Sequence, residues 1–256
     1  MKLEREYVEK PWGRTELPAM FDAPRDRRIG EVWFTGAGDK PLLVKYLFTS
    51  ERLSIQVHPG DEQARTRGLR RGKSECWYIL DAEPNATLGI GLHHRLSASE
   101  LRAAAIDGSI EKLVDWHSVR AGDFFLIPPG TIHAIGGGIS LLEIQQNSDA
   151  TYRLYDYGRP RELHIEDAVA VADPSPYPAS LRQHLSPAEK RTLVEGPAFV
   201  LLHTDRDALN QRERWAIPLD GEIRSNGDRA LPGECLLVPA GATVECDGRM
   251  LIGASA

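Results

Sequence analysis

Residues 122–133, which read Gly-Asp-Phe-Phe-Leu-Ile-Pro-Pro-Gly-Thr-Ile-His, share a frame with residues 233–244, which read Gly-Glu-Cys-Leu-Leu-Val-Pro-Ala-Gly-Ala-Thr-Val. The common frame G-[DE]-x-x-[LV]-x-P-x-G predicts a tight turn, a buried strand and a second turn that directs the chain back across a sheet. We therefore expect two copies of one β-unit. His133 of the first copy is replaced by Val244 in the second, so chemistry is expected only in the amino-terminal copy.

The sequence on either side of these repeats continues the β pattern. Short runs of β-branched and aromatic residues are bounded by Gly, Pro, Asp and Asn. They lie at residues 41–48, 52–59, 75–81, 124–128 and 139–146. Because strands at this spacing are typical of sandwiches and barrels, the predicted fold class is mainly β.

Two segments predict helices instead. Ser97 and Glu100 form a capping box ahead of helical apolar spacing in 97–116, which indicates one or two short helices divided at Asp107-Gly108. A weaker helical pattern spans 164–173 and ends at the Pro-rich stretch DPSPYPAS. We accordingly predict a first domain over 1–173, a linker over 174–184 and a second, degenerate β-domain over 185–256.

Composition narrows the function classes. The 256 residues include 31 Lys plus Arg and 37 Asp plus Glu, a net charge of −6 that argues against broad binding to nucleic acid. Three scattered cysteines, the lack of an apolar leader and the lack of any long apolar run favour a cytoplasmic protein without a membrane span. The local exception is the basic run over 65–73, which could attract a small anion such as phosphate.

Polar side chains gather on neighbouring strands of the first copy. In Leu-Ser-Ile-Gln-Val-His-Pro (53–59), strand periodicity places Ser54, Gln56 and His58 on one face. Lys73 and Glu75 share a face as the next strand begins, and His133 of the repeated frame follows later. Two imidazoles, a carboxylate and an amide carbonyl make a plausible donor set for a divalent metal, with room left for water or substrate.

Four separated motifs resemble one enzyme family, the short bacterial form of type I mannose-6-phosphate isomerase, over roughly residues 10–165. The motifs are Ser54-x-Gln56-x-His58-Pro59, Lys73-x-Glu75, Pro129-Gly130-Thr131-x-His133-Ala134 and the segment from Gln145 to Tyr157. The resemblance implies a zinc-dependent cupin, a jelly-roll β-barrel, that interconverts mannose 6-phosphate and fructose 6-phosphate. It also implies one zinc per chain, an active-site arginine at Arg153, and a ligand set. The implied ligands are Gln56, His58, Glu75 and His133.

This reaction gives the remaining polar residues expected roles. Moving a proton between C1 and C2 passes through an enediol, whose developing negative charge a Lewis acid stabilises. Arg153 would add a permanent cation, Lys73 could polarise a sugar oxygen or bind phosphate, and Ser54 could hydrogen-bond the substrate. The proton acceptor stays open among Asp149, Glu31 and a water on the metal.

Two other functions also fit parts of the pattern. Two His and one carboxylate resemble the facial triad of an iron(II)-dependent cupin oxygenase, and a silent sugar-phosphate-binding protein would retain the same pocket. The amide of Gln56, together with Lys73 and Arg153, favours a hexose 6-phosphate substrate. The protein is expected to be a monomer or homodimer, with the second copy covering the first sheet or forming the dimer contact. Only residues 97–116 could stand for the helical insertion of longer family members.

Overall fold

The computed structural model describes residues 1–256 and contains twenty β-strands and four α-helices, which confirms the mainly β prediction. In the amino-terminal part the elements are β1 (Glu4–Arg14), β2 (Ile29–Thr35), β3 (Leu42–Phe48), β4 (Ile55–Val57), α1 (Asp61–Thr66), β5 (Glu75–Ala82), β6 (Thr87–Leu92), α2 (Ala98–Asp107), α3 (Ile110–Leu113), β7 (Val114–Ser118), β8 (Asp123–Ile127), β9 (His133–Ile135), β10 (Ile139–Gln146), β11 (Tyr152–Tyr155), α4 (Ile165–Val171) and β12 (Arg182–His184). In the carboxy-terminal part they are β13 (Arg191–Glu195), β14 (Phe199–Thr204), β15 (Arg214–Pro218), β16 (Ile223–Ser225), β17 (Asp228–Ala230), β18 (Leu236–Val238), β19 (Glu245–Cys246) and β20 (Met250–Ser255).

Two antiparallel sheets face each other in the amino-terminal part. The first has the order β1-β2-β3-β10-β5-β8-β12, and the second has the order β11-β4-β9-β6-β7. Side chains from both inner faces meet in one buried apolar cluster, in which Trp77 and Leu141 of the first sheet join Leu88 and Ile135 of the second. The space between the sheets is therefore a packed core that also holds the polar residues described below.

The outer faces of the two sheets are covered by different layers. Helices α2, α3 and α4 pack on the second sheet, where Leu101 and Ala168 meet Ile55 and Leu154. The Ser97–Glu100 capping box forms as predicted, and α2 ends at Gly108, whose φ of +79° suits glycine. Of residues 97–116, the helices therefore form a covering layer outside the pair of sheets, and the last three begin β7, the edge strand of the second sheet.

The carboxy-terminal part repeats the turn geometry of the amino-terminal part. Gly122 and Gly233 have φ of +88° and +87°, and Gly130 and Gly241 have +86° and +80°. The repeated frame thus sets the same left-handed turns at corresponding positions. In the second copy Val244 packs in a wholly apolar cluster.

The carboxy-terminal sheet β13-β14-β20-β15-β18 covers the outer face of the first sheet. Its Phe199 and Trp215 belong to the same buried cluster as Tyr46 and Leu142. Of the two roles expected for the second copy, the structure shows the covering one.

Residues 174–184, predicted as a linker, contact both sheets: the Leu92 N–H of β6 donates to the Ser175 carbonyl, and Arg182–His184 form β12 of the first sheet. Arg182 of β12 pairs with Phe125 of β8, and the Tyr177 hydroxyl lies 2.7 and 2.9 Å from the carbonyl oxygens of Leu126 and Leu181, which share its one proton. The prolines of this segment have no backbone N–H to donate to a sheet. The side chain of Tyr177 holds the segment against β8 instead. None of the helices has the length and apolar character required to cross a membrane.

Candidate metal centre

The two facing sheets bring four predicted ligand residues together. Gln56 of β4 is paired directly with His133 of β9 on the second sheet, and His58 follows the end of β4. Glu75 begins β5 on the opposite sheet. One donor atom from each of His58, Glu75 and His133 lies within 4.8 Å of the others, and each of these three residues is only 1% exposed.

Backbone carbonyls fix the orientation of both imidazoles. His58 Nδ1 lies 2.7 Å from the Ala150 carbonyl, and His133 Nδ1 lies 2.9 Å from the Thr131 carbonyl. Each Nδ1 therefore donates its proton, and the Nε2 lone pair is the one that a metal would use. These Nε2 atoms lie 3.5 and 3.4 Å from the two carboxylate oxygens of Glu75.

Burial and charge keep the three groups in the protonation states that a metal requires. Burial, with a further contribution from the Lys73 cation, lowers the pKa of His58 to about 4, and burial also lowers the pKa of His133. Burial opposes ionisation of Glu75, but Lys73 and the two imidazoles outweigh it and hold the pKa of that carboxyl well below its usual range. At neutral pH the imidazoles are neutral and the carboxylate is charged.

The donor chemistry fits a divalent ion of the zinc type. Glu75 Oε1 is buried without a hydrogen-bond partner, although a buried carboxylate oxygen normally has one. Gln56 Nε2 lies 3.3 Å from His133 Nε2, while Gln56 Oε1 accepts a hydrogen bond from Ser54 Oγ at 3.1 Å. Turning the amide over would direct its oxygen to the centre, and the two orientations differ only in hydrogen bonding.

Lys73 lies next to the ligand residues. Its ammonium group donates to Glu75 Oε2 and lies 3.1 Å from His58 Nε2. Burial lowers the pKa of Lys73, but the carboxylates of Glu75 and Glu143 raise it by a larger amount, so the net shift of the pKa is upward. Lys73 is therefore a buried cation at the metal centre.

Arg153 is opposite Gln56 in the pairing of β11 with β4, so both side chains project to the same face of the second sheet. Its Nε is buried without a partner. Burial, followed by the nearby Arg161 cation, lowers the pKa of Arg153. Asp156 and Glu162 partly offset this lowering, but the guanidinium forms no direct ion pair.

The other predicted residues occupy different surroundings. Asp149 is exposed and forms no hydrogen bond or ion pair with the ligand group. Glu31 is buried away from the ligand residues, between Lys10 at 3.3 Å and Lys45 at 3.7 Å. In the basic run, surface carboxylates neutralise the arginines at 67, 70 and 71.

Sequence reasoning missed two charged residues beside the centre, Lys45 and Glu143. Each interrupts an apolar strand, in Leu-Leu-Val-Lys-Tyr-Leu-Phe (42–48) and Ile-Ser-Leu-Leu-Glu-Ile-Gln-Gln (139–146). Both are buried in the structure. A lone charge within a buried strand was the available signal.

A cupin-type pair of facing sheets that encloses two imidazoles, a carboxylate and an amide defines a metal-dependent enzyme. The chain is 42% identical over 237 residues to mannose-6-phosphate isomerase ManA of Bacillus subtilis (strain 168), with 75% of each chain covered. It is 45% identical over 211 residues to the probable mannose-6-phosphate isomerase GmuF of the same organism, covering 66% of this chain and 67% of that relative. The chain belongs to the mannose-6-phosphate isomerase family.

Solved structures agree with this assignment. The fold matches a crystal structure of mannose 6-phosphate isomerase from Bacillus subtilis with a TM-score of 0.80 and 27% identity, covering 98% of both chains. It also matches the fold of a mannose 6-phosphate isomerase bound with zinc and yttrium, with a TM-score of 0.71 and 16% identity, covering 99% of this chain and 98% of that one. No family model matches the chain.

Proposed function

We propose that this chain is a zinc-dependent aldose–ketose isomerase that interconverts mannose 6-phosphate and fructose 6-phosphate. The observation that carries the proposal is the buried group of His58, Glu75 and His133, whose donor atoms lie within 4.8 Å of one another, in a chain whose relatives are isomerases of this name. Gln56 completes the proposed ligand set, with one zinc held per chain.

The bound ion would supply Lewis-acid stabilisation of the negative charge that develops on the sugar oxygens. The chain's own residues perform the remaining work. The Lys73 ammonium is placed to donate to a sugar oxygen, and its burial excludes the water that would compete for that hydrogen bond. Ser54 is buried beside Gln56. With the amide turned over, the Gln56 NH₂ group would donate to Ser54 Oγ, which leaves the serine proton for a substrate oxygen.

Arg153 is proposed to bind the developing anion or the phosphate. A guanidinium stays protonated at any working pH and presents several donors in a fixed plane. Because Arg153 has no carboxylate partner, it does not have to break an ion pair before it binds the substrate. This free cation supports an anionic substrate.

Asp149 is the proposed proton acceptor, and Glu31 is the weaker candidate. Burial opposes ionisation of Glu31, but Lys45 and Lys10 outweigh it and lower its pKa, so its carboxylate is a poor base. Asp149 has no ion-pair partner, and it precedes Ala150, whose carbonyl accepts from His58. It is therefore on the loop that adjoins the metal centre.

Metal analysis combined with an activity assay tests the proposal. Protein purified without chelator or added metal should contain about one zinc per chain. Conversion of mannose 6-phosphate to fructose 6-phosphate should disappear on chelation and return with zinc. Bound iron without isomerisation would refute the proposal and favour an oxygenase. A chain with neither metal nor turnover would favour a sugar-phosphate-binding protein.

A further inference from the structure

Four side chains form a row across the inner face of the first sheet, beside the metal centre. The strand register places Trp33 opposite Lys45, Lys45 opposite Glu143, and Glu143 opposite Trp77. Directly opposite residues of antiparallel strands project to the same face. The row is therefore continuous from β2 to β5, and Glu143 occupies an inner position in it.

Both carboxylate oxygens of Glu143 are engaged. Oε2 accepts a hydrogen bond from Trp77 Nε1 at 2.9 Å. Oε1 lies 3.5 Å from the ammonium group of Lys45 and 3.9 Å from that of Lys73. The side chain is only 5% exposed, and these three donors compensate the buried carboxylate for its lost hydration.

Two of these partners lead directly to the predicted ligands. The indole of Trp77, fully buried, packs edge-on against the His133 ring, with ring centroids 5.4 Å apart and planes at 74°. Lys73 contacts both Glu75 and His58. Glu143 itself forms no hydrogen bond or ion pair with any ligand residue. Its influence on the centre passes through Trp77 and Lys73.

We propose that Glu143 is a positioning residue for the metal centre, which holds the His133 ring through Trp77 and the cation beside Glu75 through Lys73. The inference rests on the proposed function, because it takes His133 and Glu75 to be ligands. Partners that orient metal ligands from behind commonly change metal affinity and activity by 10- to 100-fold when they are removed.

The variant Glu143→Gln separates charge from shape. Glutamine keeps the size and an oxygen that can accept from Trp77, but it removes the charge that faces Lys45 and Lys73. Trp77→Phe removes the indole N–H and leaves an aromatic ring beside His133. Glu166→Gln is the matched control, because Glu166 pairs with Arg102 at the surface, where the two side chains are 72% and 52% exposed.

Zinc affinity, measured by competition with a chromophoric chelator, is the primary readout, and kcat and KM are measured in parallel. We expect Glu143→Gln to weaken zinc binding by roughly 10- to 100-fold and to lower kcat more than it raises KM, with Glu166→Gln unchanged. A Glu143→Gln protein that unfolds earlier in urea but keeps wild-type zinc affinity and kcat overturns the proposal in favour of a structural role. If Glu143→Gln does not fold, the same measurements on Trp77→Phe decide, and wild-type affinity there overturns the proposal.

The same data distinguish failure of this inference from failure of the proposed function. A wild-type chain that binds no zinc refutes both. If the wild-type chain binds zinc and isomerises mannose 6-phosphate, and Glu143→Gln has the same zinc affinity and kcat, only the positioning role is refuted.

Discussion

Replacing Glu75 with glutamine should destabilise the metal-free protein, because it leaves a buried ammonium group without its main counterion. Lys73 is 7% exposed and donates to Glu75. The only other carboxylate within 4 Å of it is Glu143, at 3.9 Å and already engaged by Lys45 and Trp77. Breaking a buried ion pair by removing one partner typically costs about 3–5 kcal/mol, and we expect Glu75→Gln to fall in this range.

Urea unfolding in the presence of a chelator measures this cost without the contribution of a bound metal. The double variant Glu75→Gln/Lys73→Met removes the stranded charge and should recover much of the lost stability. The surface variant Glu166→Gln should change the free energy of unfolding by no more than about 0.5 kcal/mol.

Two results would refute this reasoning. One is that Glu75→Gln unfolds within about 1 kcal/mol of the wild type, which would mean that Lys73 needs no counterion in the interior. The other is that the double variant is no more stable than the single one, which would mean that the cost arises from packing instead of charge.

Three further outcomes are expected. Asp149→Asn should lower kcat by roughly 10²- to 10⁴-fold with zinc content unchanged, since it removes the proposed base. A variant with wild-type kcat would show that another group accepts the proton. Arg153→Lys should lower kcat/KM by roughly 10- to 100-fold, because a lysine keeps the charge but loses the planar fork, and unchanged kinetics would exclude contact with the substrate. Burial holds the pKa of His58 at about 4 against an ordinary 6.5, so the unfolded chain binds this proton more readily. In the presence of a chelator, the contribution of His58 to the free energy of unfolding should be complete above pH 6.5 and should fall by up to about 1.4 kcal/mol per pH unit as the pH drops toward 4. The variant His58→Asn should show a shallower fall in urea titrations.

Local signals in the sequence predicted the parts of the structure that depend on a few neighbouring residues. The capping box at Ser97 and Glu100 and the left-handed glycines at 122 and 130 are set by their own backbone geometry. Strand periodicity also placed Gln56 correctly on the inner face, where it pairs with His133. Such features need no knowledge of which strands become neighbours.

The row through Lys45, Glu143 and Trp77 could not be predicted in this way, because it depends on strand order and register. Glu143 and Trp77 are 66 residues apart in sequence, and β10 joins β3 and β5 only in the folded sheet. A shift of one residue in either register would turn the carboxylate to the opposite face. The polar residues that surround the site are therefore brought together by strand pairing between distant parts of the sequence.

The second copy of the frame has an apolar side chain where the first has a predicted metal ligand. Val244, at the position of His133, packs with Leu236, Val238 and Ile252 in a wholly apolar cluster, and the turns that flank its strand keep the φ values of the first copy. Apolar burial is not the only contribution, because the fully buried Arg214 pairs with Asp207 and donates to the carbonyls of Pro239 and Ala242 in the second turn of the frame. In the first copy, polar residues occupy part of the equivalent interior, and their charges must be balanced by one another or by an ion. Both copies of the frame therefore bury charge: Arg214 fastens the second turn of the second copy, whereas the buried ion pairs around Glu143 and Glu75 lie beside the proposed ligands of the first.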